Sequence, residues 1–277
     1  NIKSLHFSIT LWNFNKSMRP NKIRALLNSG KPTLCTRIQS HWPSMLEIIG
    51  HSGMFDYVEF LAEYAPYTLH DLENLCRAAE VHDLGTMIKI DAETRSYLAQ
   101  RAIGAGFQSV LFADSRTPED ARECVRAVRP DTPPDCGTFG AAMRRFSYMG
   151  YGGGPEYVQA LRDVVVVMMI EKGPAVERLD EILAVGGIDM IQWGPADYCM
   201  SIGRPGQGRS PEVKAVERRV IDACLRAGVP PRVEIETPDE AAYYLDLGVR
   251  HFNLASDVSI LYRWWVQNGE KLRNLLA

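Results

Sequence analysis

The sequence lacks the features that mark several common classes of protein. No apolar stretch approaches the roughly 18 to 20 residues of a membrane-spanning helix, so we expect no membrane partner. The formal net charge is −3 and the lysines and arginines form no run, which argues against nucleic-acid binding. Residues 1–17 lack the apolar core and cleavage site of a signal peptide, and we expect them to be a poorly structured extension.

Cysteine and histidine do not occur in any pattern typical of a zinc site. The six histidines show no HxxxH spacing, and the six cysteines form no CxxC pair. A disulfide framework is not expected in a chain of 277 residues that can bury a large core. Dispersed thiols of this kind are typical of a reducing compartment, so we expect a cytoplasmic protein. The cysteines are Cys35, Cys76, Cys124, Cys136, Cys199 and Cys224.

The sequence does contain a regular alternation of apolar strands and helices. The predicted strands cover residues 33–40, 55–61, 85–91, 108–113, 163–171, 188–193, 232–236 and 249–255. The run at 164–170 is continuously apolar and rich in valine, which is typical of a parallel strand buried on both faces. Eight strand–helix units in a chain of this length predict a (β/α)₈ TIM barrel, formed by one domain of residues 18–277.

Two carboxylates stand where two neighbouring predicted strands end. Glu171 closes the apolar run at 164–170, and Asp197 follows the next run at 190–196. In a parallel barrel the carboxyl ends of the strands form the active-site face, so the two acids could share one divalent cation. The alternative is that each acid only caps the helix after it. The residues alone leave both interpretations open.

The segment 129–154 interrupts the alternation of strands and helices. It contains three prolines, the basic pair at 144–145 and a glycine-rich stretch at 150–154. A loop of this length inside a compact domain is usually functional or disordered. The glycines could cradle a phosphate, but they lack the GKS/T ending of a P-loop, which favours a flexible lid.

Several short motifs resemble the HpcH/HpaI aldolase family. They are FDYV at 55–58, EYAP at 63–66, GAG at 104–106, MIE at 169–171 and GPADY at 194–198. The resemblance extends over residues 32–275 and identifies the chain as a divergent member. It implies a TIM barrel of the phosphoenolpyruvate/pyruvate type, similar to 2-dehydro-3-deoxyglucarate and 4-hydroxy-2-oxo-heptanedioate aldolases. It also implies a homo-oligomer, a trimer or hexamer, in which the C-terminal helix packs between subunits.

The resemblance implies a metal-dependent carbon–carbon lyase of class II. The acids of the family that match Glu171 and Asp197 bind a divalent ion such as Mg²⁺, Mn²⁺ or Co²⁺. The ion chelates a small-molecule 2-oxo acid and stabilises a pyruvate-type enolate, either in aldol cleavage of a 4-hydroxy-2-oxo acid or in oxaloacetate decarboxylation. The backbone N–H groups of Ala196 and Asp197 would receive the substrate carboxylate if these residues open a helix.

The chain departs from the family pattern in its acid/base and polarising groups. Tyr64 replaces a His, and Gly104 stands at the position of the Asp that works with that His. Lys89 replaces the Arg of the third strand, and Met169 replaces a Gln. These exchanges leave two alternatives open: the same metal site used for isomerisation, hydration or hydrolysis, or a degenerate, non-catalytic homologue.

Lys89 and Tyr64 each have more than one interpretation as catalytic residues. Lys89 could act as a cation beside the oxo acid, or as a desolvated amine with a lowered pKa that serves as acid, base or nucleophile. It could instead pair with an acid such as Asp91, Asp114 or Glu63, since a buried Lys seldom lacks a partner. Tyr64 could donate a phenol proton, although a pKa near ~10 makes it a poor base, or it could simply pack.

Arg37 ends the first predicted strand on the same face of the barrel. We expect it to act on substrate by binding a carboxylate, with a salt bridge to Glu59 or Glu63 as the alternative. Glu234 and Glu236 alternate with apolar residues on the seventh strand, so they are predicted to share one face.

Two further positions are predicted to contact substrate. Arg145 matches a family loop that shapes the substrate site, and Asp114 follows the fourth strand where relatives such as macrophomate synthase carry a His. A solvated charge and a helix cap are the respective alternatives. On the last helix, residues 261–265 (LYRWW) are apolar enough to suggest oligomer packing, with packing on the barrel as the alternative.

Overall fold

The computed structural model describes residues 18–93, 95–142, 144–148 and 153–277. The expected extension at 1–17 and part of the glycine-rich stretch lie outside these residues. The described strands form one closed barrel in chain order, from the first strand to the eighth. The predicted (β/α)₈ barrel is therefore confirmed.

Every strand of the barrel runs parallel to both of its neighbours, and the eighth pairs with the first. The strands are β1 Thr33–Ile38, β2 Tyr57–Leu61, β3 Gly85–Ile90, β4 Ser109–Phe112, β5 Val165–Ile170, β6 Met190–Trp193, β7 Pro231–Ile235 and β8 His251–Ser256. Their ends differ from the predicted ones by at most two residues. None of the described helices is long and apolar enough to cross a membrane.

Helices surround the barrel on the outside and close one of its ends. They are α1 Lys22–Asn28, α2 Pro43–Ser52, α3 Leu69–Val81, α4 Arg95–Ala105, α5 Pro118–Val128, α6 Pro155–Arg162, α7 Gly173–Glu177, α8 Leu179–Leu183, α9 Pro195–Ser201, α10 Pro211–Ala227, α11 Ala241–Asp246 and α12 Asp257–Leu276.

Three of the connections between strands are irregular. The helical segment between β5 and β6 is divided into α7 and α8, which are separated at Arg178. A 3₁₀ turn, Pro238–Glu240, precedes α11. Helix α6 lies at the end of the irregular segment and was not predicted, although Pro155 suits the first turn of a helix.

The inside of the barrel is a packed core at its amino-terminal end. Alternate strand residues such as Met87, Leu111 and Val167 point inward and pack together. Ile23 of α1 is fully buried in the same cluster, so this helix closes the amino-terminal end. The Asn21 side chain fixes α1 there by donating to the carbonyls of Gln108 and Asp163 at 2.7 and 2.8 Å.

One side of the barrel interior is polar and is arranged around a buried arginine. The guanidinium of Arg232 bonds to the carboxylate of Glu59 and donates to Tyr57 Oη at 2.9 Å. It also donates to the Gln192 side chain. A buried charge without partners would cost several kcal/mol, so Arg232 has to keep these contacts. Because the contacts join different strands, they hold the strands in register. The carboxyl ends of the strands are left as the face available for chemistry.

Candidate active site

Glu171 is a buried carboxylate at the end of β5, on the carboxyl-terminal face. It is 2% exposed, and its Oε1 accepts a hydrogen bond from the backbone N–H of Asp114 at 2.8 Å. Asp114 has φ of 58°, in the left-handed region, which is uncommon for a residue other than glycine. Burial raises the pKa of Glu171 to about 7, and the nearby Lys89 charge opposes this shift.

Gly194 leaves the space that this carboxylate occupies. A Cβ atom at position 194 would lie 2.7 Å from Glu171 Oε2, a distance that real Cβ contacts do not show. Any other residue at this position would therefore push the Glu171 side chain aside. The φ of Gly194 is −118°, which any residue can adopt, so the backbone conformation does not require glycine. The glycine of the GPAD motif is needed instead for the close approach of the carboxylate.

Asp197 lies beside Glu171 on the neighbouring strand end. It is the third residue of α9, and its side chain is 44% exposed. The N–H groups of Ala196 and Asp197 lie in the first turn of this helix, where no helical carbonyl is in reach of them. The condition for their predicted role, that they open a helix, is met.

Lys172 connects Asp197 with Asp114, and the sequence analysis did not single it out. Its Nζ lies 2.5 Å from Asp114 Oδ1 and 3.1 Å from Asp197 Oδ1. The sequence did contain a signal for Lys172: this charged residue directly follows Glu171 at a strand end, on the predicted active-site face. Lys172 thereby brings Asp114 into the group, and the contact of Asp114 with substrate stays a prediction.

Lys89 is nearly buried and sits between Glu63 and Tyr64. Its Nζ lies 2.7 Å from Glu63 Oε2 and donates to Tyr64 Oη at 2.6 Å. Burial alone would lower the pKa of Lys89, but its interactions with Tyr64, Glu171 and Glu63 together raise it above its ordinary value. The alternative of an amine with a lowered pKa is therefore contradicted, and pairing with an acid, Glu63, is what the structure contains.

Tyr64 is 51% exposed and keeps its proton at neutral pH. Burial raises the pKa of Tyr64 to about 12, with the Lys89 ammonium opposing the shift. Tyr64 Oη accepts a hydrogen bond from Lys89 Nζ, so the phenol O–H is directed to a different acceptor. Tyr64 can donate a hydrogen bond at this face, but it cannot act as a base there.

Arg37 lies on β1, across the barrel from Glu171, and is paired with acids of β7. Its guanidinium bonds to Glu234 and lies 3.5 Å from Glu236. The alternative of a salt bridge from Arg37 to Glu59 or Glu63 is wrong, because Glu59 pairs with Arg232 and Glu63 with Lys89. Glu234 and Glu236 share one face, as predicted.

Arg145 is not brought to this group within the chain. It begins a 3₁₀ turn and pairs with Glu80 at 2.6 Å, and it also donates to the carbonyl of Ala105 at 2.8 Å. Glu80 and Ala105 lie at the ends of α3 and α4 that lead into β3 and β4, which is the opposite face of the barrel. Within one chain, these contacts place Arg145 at the end of the barrel opposite Glu171 and Asp197, and not at the predicted substrate site.

The acids at the carboxyl-terminal face suit a hard divalent cation, although few in number. Among the described residues, no group of three or more His, Cys, Asp or Glu side chains is arranged to hold a metal. Mg²⁺ commonly uses only one or two carboxylates and keeps several waters. Such an ion fits the two oxygen donors, Glu171 and Asp197. Gly194 leaves room for the Glu171 carboxylate, and Asp197 already binds a cation, the Lys172 ammonium.

Comparison with known proteins decides the family. The profile of the HpcH/HpaI aldolase/citrate lyase family matches residues 38–262, which is most of the chain. The chain belongs to the HpcH/HpaI family. It is 29% identical over 241 residues to a 2-dehydro-3,6-dideoxy-6-sulfogluconate aldolase of Pseudomonas putida, covering 85% of this chain and 91% of that protein. It is 30% identical over 220 residues to a pyruvate aldolase of Rhizobium etli, covering 78% and 84%.

The fold agrees with that of solved HpcH/HpaI proteins. An HpcH/HpaI aldolase/citrate lyase family protein from Burkholderia cenocepacia has a TM-score of 0.81 and 28% identity, and the match covers 92% of this chain and 100% of that one. The predicted family and the prediction of an aldolase-type enzyme are confirmed.

The departures from the HpcH/HpaI pattern can now be placed in the structure. Gly104 lies next to the last residue of α4, on the face opposite Tyr64, and a Cβ there would lie 2.4 Å from Arg144 Cδ. Within one chain, position 104 therefore cannot supply a partner to Tyr64. Met169 is buried beneath the site and packs among the inward-facing residues of the barrel.

Proposed function

We propose that this HpcH/HpaI protein is a divalent-metal-dependent carbon–carbon lyase that cleaves a 2-oxo acid to pyruvate. The observation that carries the proposal is the pair Glu171 and Asp197 on adjacent strand ends, with Glu171 buried against Gly194 and held by the Asp114 N–H. Mg²⁺, Mn²⁺ and Co²⁺ are the ions that such oxygen donors suit.

The acids and amides of α9 would hold the metal and the substrate. Glu171 and Asp197 would bind the ion, which supplies Lewis-acid stabilisation of the charge that develops on the keto oxygen. The N–H groups of Ala196 and Asp197 would bind the substrate carboxylate, where the first turn of a helix favours an anion. Lys89 of β3 and Tyr64, which follows β2, would then line another side of the substrate, since the Lys89 charge reaches Glu171.

Tyr64 would hold the oxygen that departs with the aldehyde. In aldol cleavage the C3–C4 bond breaks and its electron pair passes to the pyruvate fragment, which is then protonated at C3. The 4-hydroxyl proton passes to solvent water, and the 4-oxygen becomes the aldehyde carbonyl. Lys89 fixes the phenol oxygen, so the Tyr64 O–H would donate a hydrogen bond to that 4-oxygen. Oxaloacetate has no 4-hydroxyl, so its decarboxylation should be less sensitive to the loss of Tyr64.

A pyruvate assay tests the proposal directly. Metal-stripped protein would be supplied with Mg²⁺, Mn²⁺ or Co²⁺ and a panel of 4-hydroxy-2-oxo acids and oxaloacetate, and pyruvate would be trapped with lactate dehydrogenase. We expect metal-dependent pyruvate release that is lost in Glu171→Gln and Asp197→Asn. Glu47→Gln, an exposed position on α2, is the matched control and should behave as wild type. No pyruvate from any substrate would count heavily against the proposal.

A non-aldol reaction at the same site is the second candidate. It is favoured by Tyr64 and Gly104, because neither half of the His–Asp pair of the family is rebuilt within the chain. A different proton relay would suit isomerisation, hydration or hydrolysis. Product analysis by NMR separates the two candidates, since scission of a carbon–carbon bond would reject this one. A protein that bound no metal would instead support a non-catalytic homologue.

We further propose a cytoplasmic homo-oligomer, a trimer or hexamer, assembled through α12. This helix exposes a long set of apolar side chains, more than an isolated subunit would be expected to leave in water. They are Val258, Ile260, Leu261, Tyr262, Trp264, Trp265, Val266, Leu272, Leu275 and Leu276.

All six cysteines are free, which suits a reducing compartment; cell fractionation would test the location.

A further inference from the structure

Lys172 places a positive charge directly on the proposed metal site. It follows Glu171 at the end of β5 and is 8% exposed. Its ammonium contacts Asp114 Oδ1 at 2.5 Å and Asp197 Oδ1 at 3.1 Å. The two carboxylates in contact with this ammonium favour its charged form. The side chain is therefore positively charged at neutral pH.

We infer that Lys172 weakens the binding of the divalent ion alone and strengthens the binding of the anionic 2-oxo acid that follows, so that the two ligands bind together. The inference rests on the proposed function. Its origin is the position of the ammonium, which an arriving cation must displace from Asp197 or approach against its repulsion.

The charges around the site show why one residue has opposite effects on the two ligands. Asp114, Glu171 and Asp197 carry three negative charges when ionised, and Lys172 carries one positive charge. With a divalent ion bound, this group is neutral and can accept an anion. Without Lys172 the loaded group would keep one net negative charge, which attracts the metal more strongly and repels the oxo acid.

Lys89 cannot replace the charge of Lys172 at Asp197, because its ammonium is bound to other residues. Its Nζ lies 2.7 Å from Glu63, which follows β2 and is not a proposed metal ligand, and it donates to Tyr64 Oη at 2.6 Å. The Lys89 charge acts on Glu171 in the wild type and in the Lys172 variants alike. Removing Lys172 should therefore change the charge balance at Asp197 without compensation from a second cation.

Titration of metal-stripped protein measures both ligands separately. Mn²⁺ binding would be followed by calorimetry, and oxalate and pyruvate binding at saturating Mn²⁺, in wild type, Lys172→Met and Lys172→Gln. We expect about tenfold tighter Mn²⁺ binding and about tenfold weaker oxalate binding in both variants, from the loss of one nearby charge. Lys172→Arg keeps the charge and should restore both values toward wild type. Thermal unfolding would establish that each variant is folded.

Lys214→Met is the matched control, because Lys214 also pairs with a buried acid, Glu217 at 2.6 Å, on the outer helix α10. It should bind both ligands as wild type does. A structural or orienting role for Lys172 would weaken both ligands or neither, and either outcome in the folded Met and Gln variants would overturn the inference. Wild-type protein that bound no Mn²⁺ would instead overturn the proposed function itself.

Discussion

At the scale of single residues, the close contact between Gly194 and Glu171 is the most demanding geometry in the site. We expect Gly194→Ala to push the carboxylate away and weaken Mn²⁺ binding by about tenfold or more, with a loss of about 1–3 kcal/mol in the free energy of unfolding from overpacking. Calorimetry and urea denaturation measure the two effects. Gly186→Ala is the control, because a Cβ there meets nothing within 4 Å. Unchanged Mn²⁺ affinity in Gly194→Ala would show that Glu171 is not a ligand.

Glu171 also predicts how the stability of the metal-free protein depends on pH. The folded protein holds this proton up to about pH 7, whereas an unfolded Glu ionises near its ordinary 4.5. The stabilising contribution is thus complete below about pH 4.5 and is lost as pH rises to 7, about 3 kcal/mol in all.

Glu171→Gln removes this titration. We expect the variant to gain stability relative to wild type as pH rises from 5 to 8, as measured by urea denaturation of metal-free protein. Glu47→Gln, which is exposed, should show no such gain. A difference between Glu171→Gln and wild type that stays constant across this range would contradict the raised pKa.

The two acids of the site could be predicted from the sequence, but their surroundings could not. Glu171 and Asp197 each follow an apolar run, so their face of the barrel was determined by strand direction alone. Lys172 directly follows Glu171, which was a signal, but its role depends on a contact with Asp197, 25 residues further along the chain, that no local pattern contains. The partner of Arg37 was missed for the same reason: the closure of β8 onto β1 brings the acids of β7 to it.

At the scale of secondary structure, α1 closes the amino-terminal end of the barrel through one side chain. Ile23 is fully buried among the inward-facing residues. We expect Ile23→Ala to lower the free energy of unfolding by about 2–5 kcal/mol, because a large buried aliphatic group is lost and a cavity is left. Ile48→Ala, at an exposed position of α2, should cost far less.

Mn²⁺ affinity provides the second readout for Ile23→Ala, since the proposed metal site lies at the other end of the barrel. It should be unchanged in the folded variant. A stability loss no larger than that of Ile48→Ala would mean that α1 is not part of the folded core.

The strands were easier to predict than the elements between them. A strand buried on both faces leaves an uninterrupted apolar run such as 164–170, whereas α6 and the split of α7 from α8 leave only short, mixed patterns. The sequence also carries no signal for which end of the barrel a long segment crosses. Arg145 was for this reason expected at the substrate site, while its contacts with Glu80 and Ala105 lie at the opposite end.

At the scale of the whole molecule, α12 is the feature that an isolated subunit does not explain. Trp264 and Trp265 are each 61% exposed on a helix of 20 residues, and large aromatic side chains are enriched where proteins associate. Burial of one such side chain in an interface contributes about 2 kcal/mol or more when it lies at the centre. We therefore expect sedimentation of wild-type protein to give a molecular mass well above the 31.1 kDa of one chain.

Trp265→Glu places a charge within this apolar surface, and burying it without a partner would cost more than the interface gains. We expect the variant to sediment as smaller species while its far-ultraviolet circular dichroism stays that of a folded barrel. Val81→Glu is the control, because Val81 is 79% exposed on α3, away from this helix. Wild-type protein that sediments as a single chain would refute assembly through α12, and unchanged sedimentation of Trp265→Glu would place the interface elsewhere.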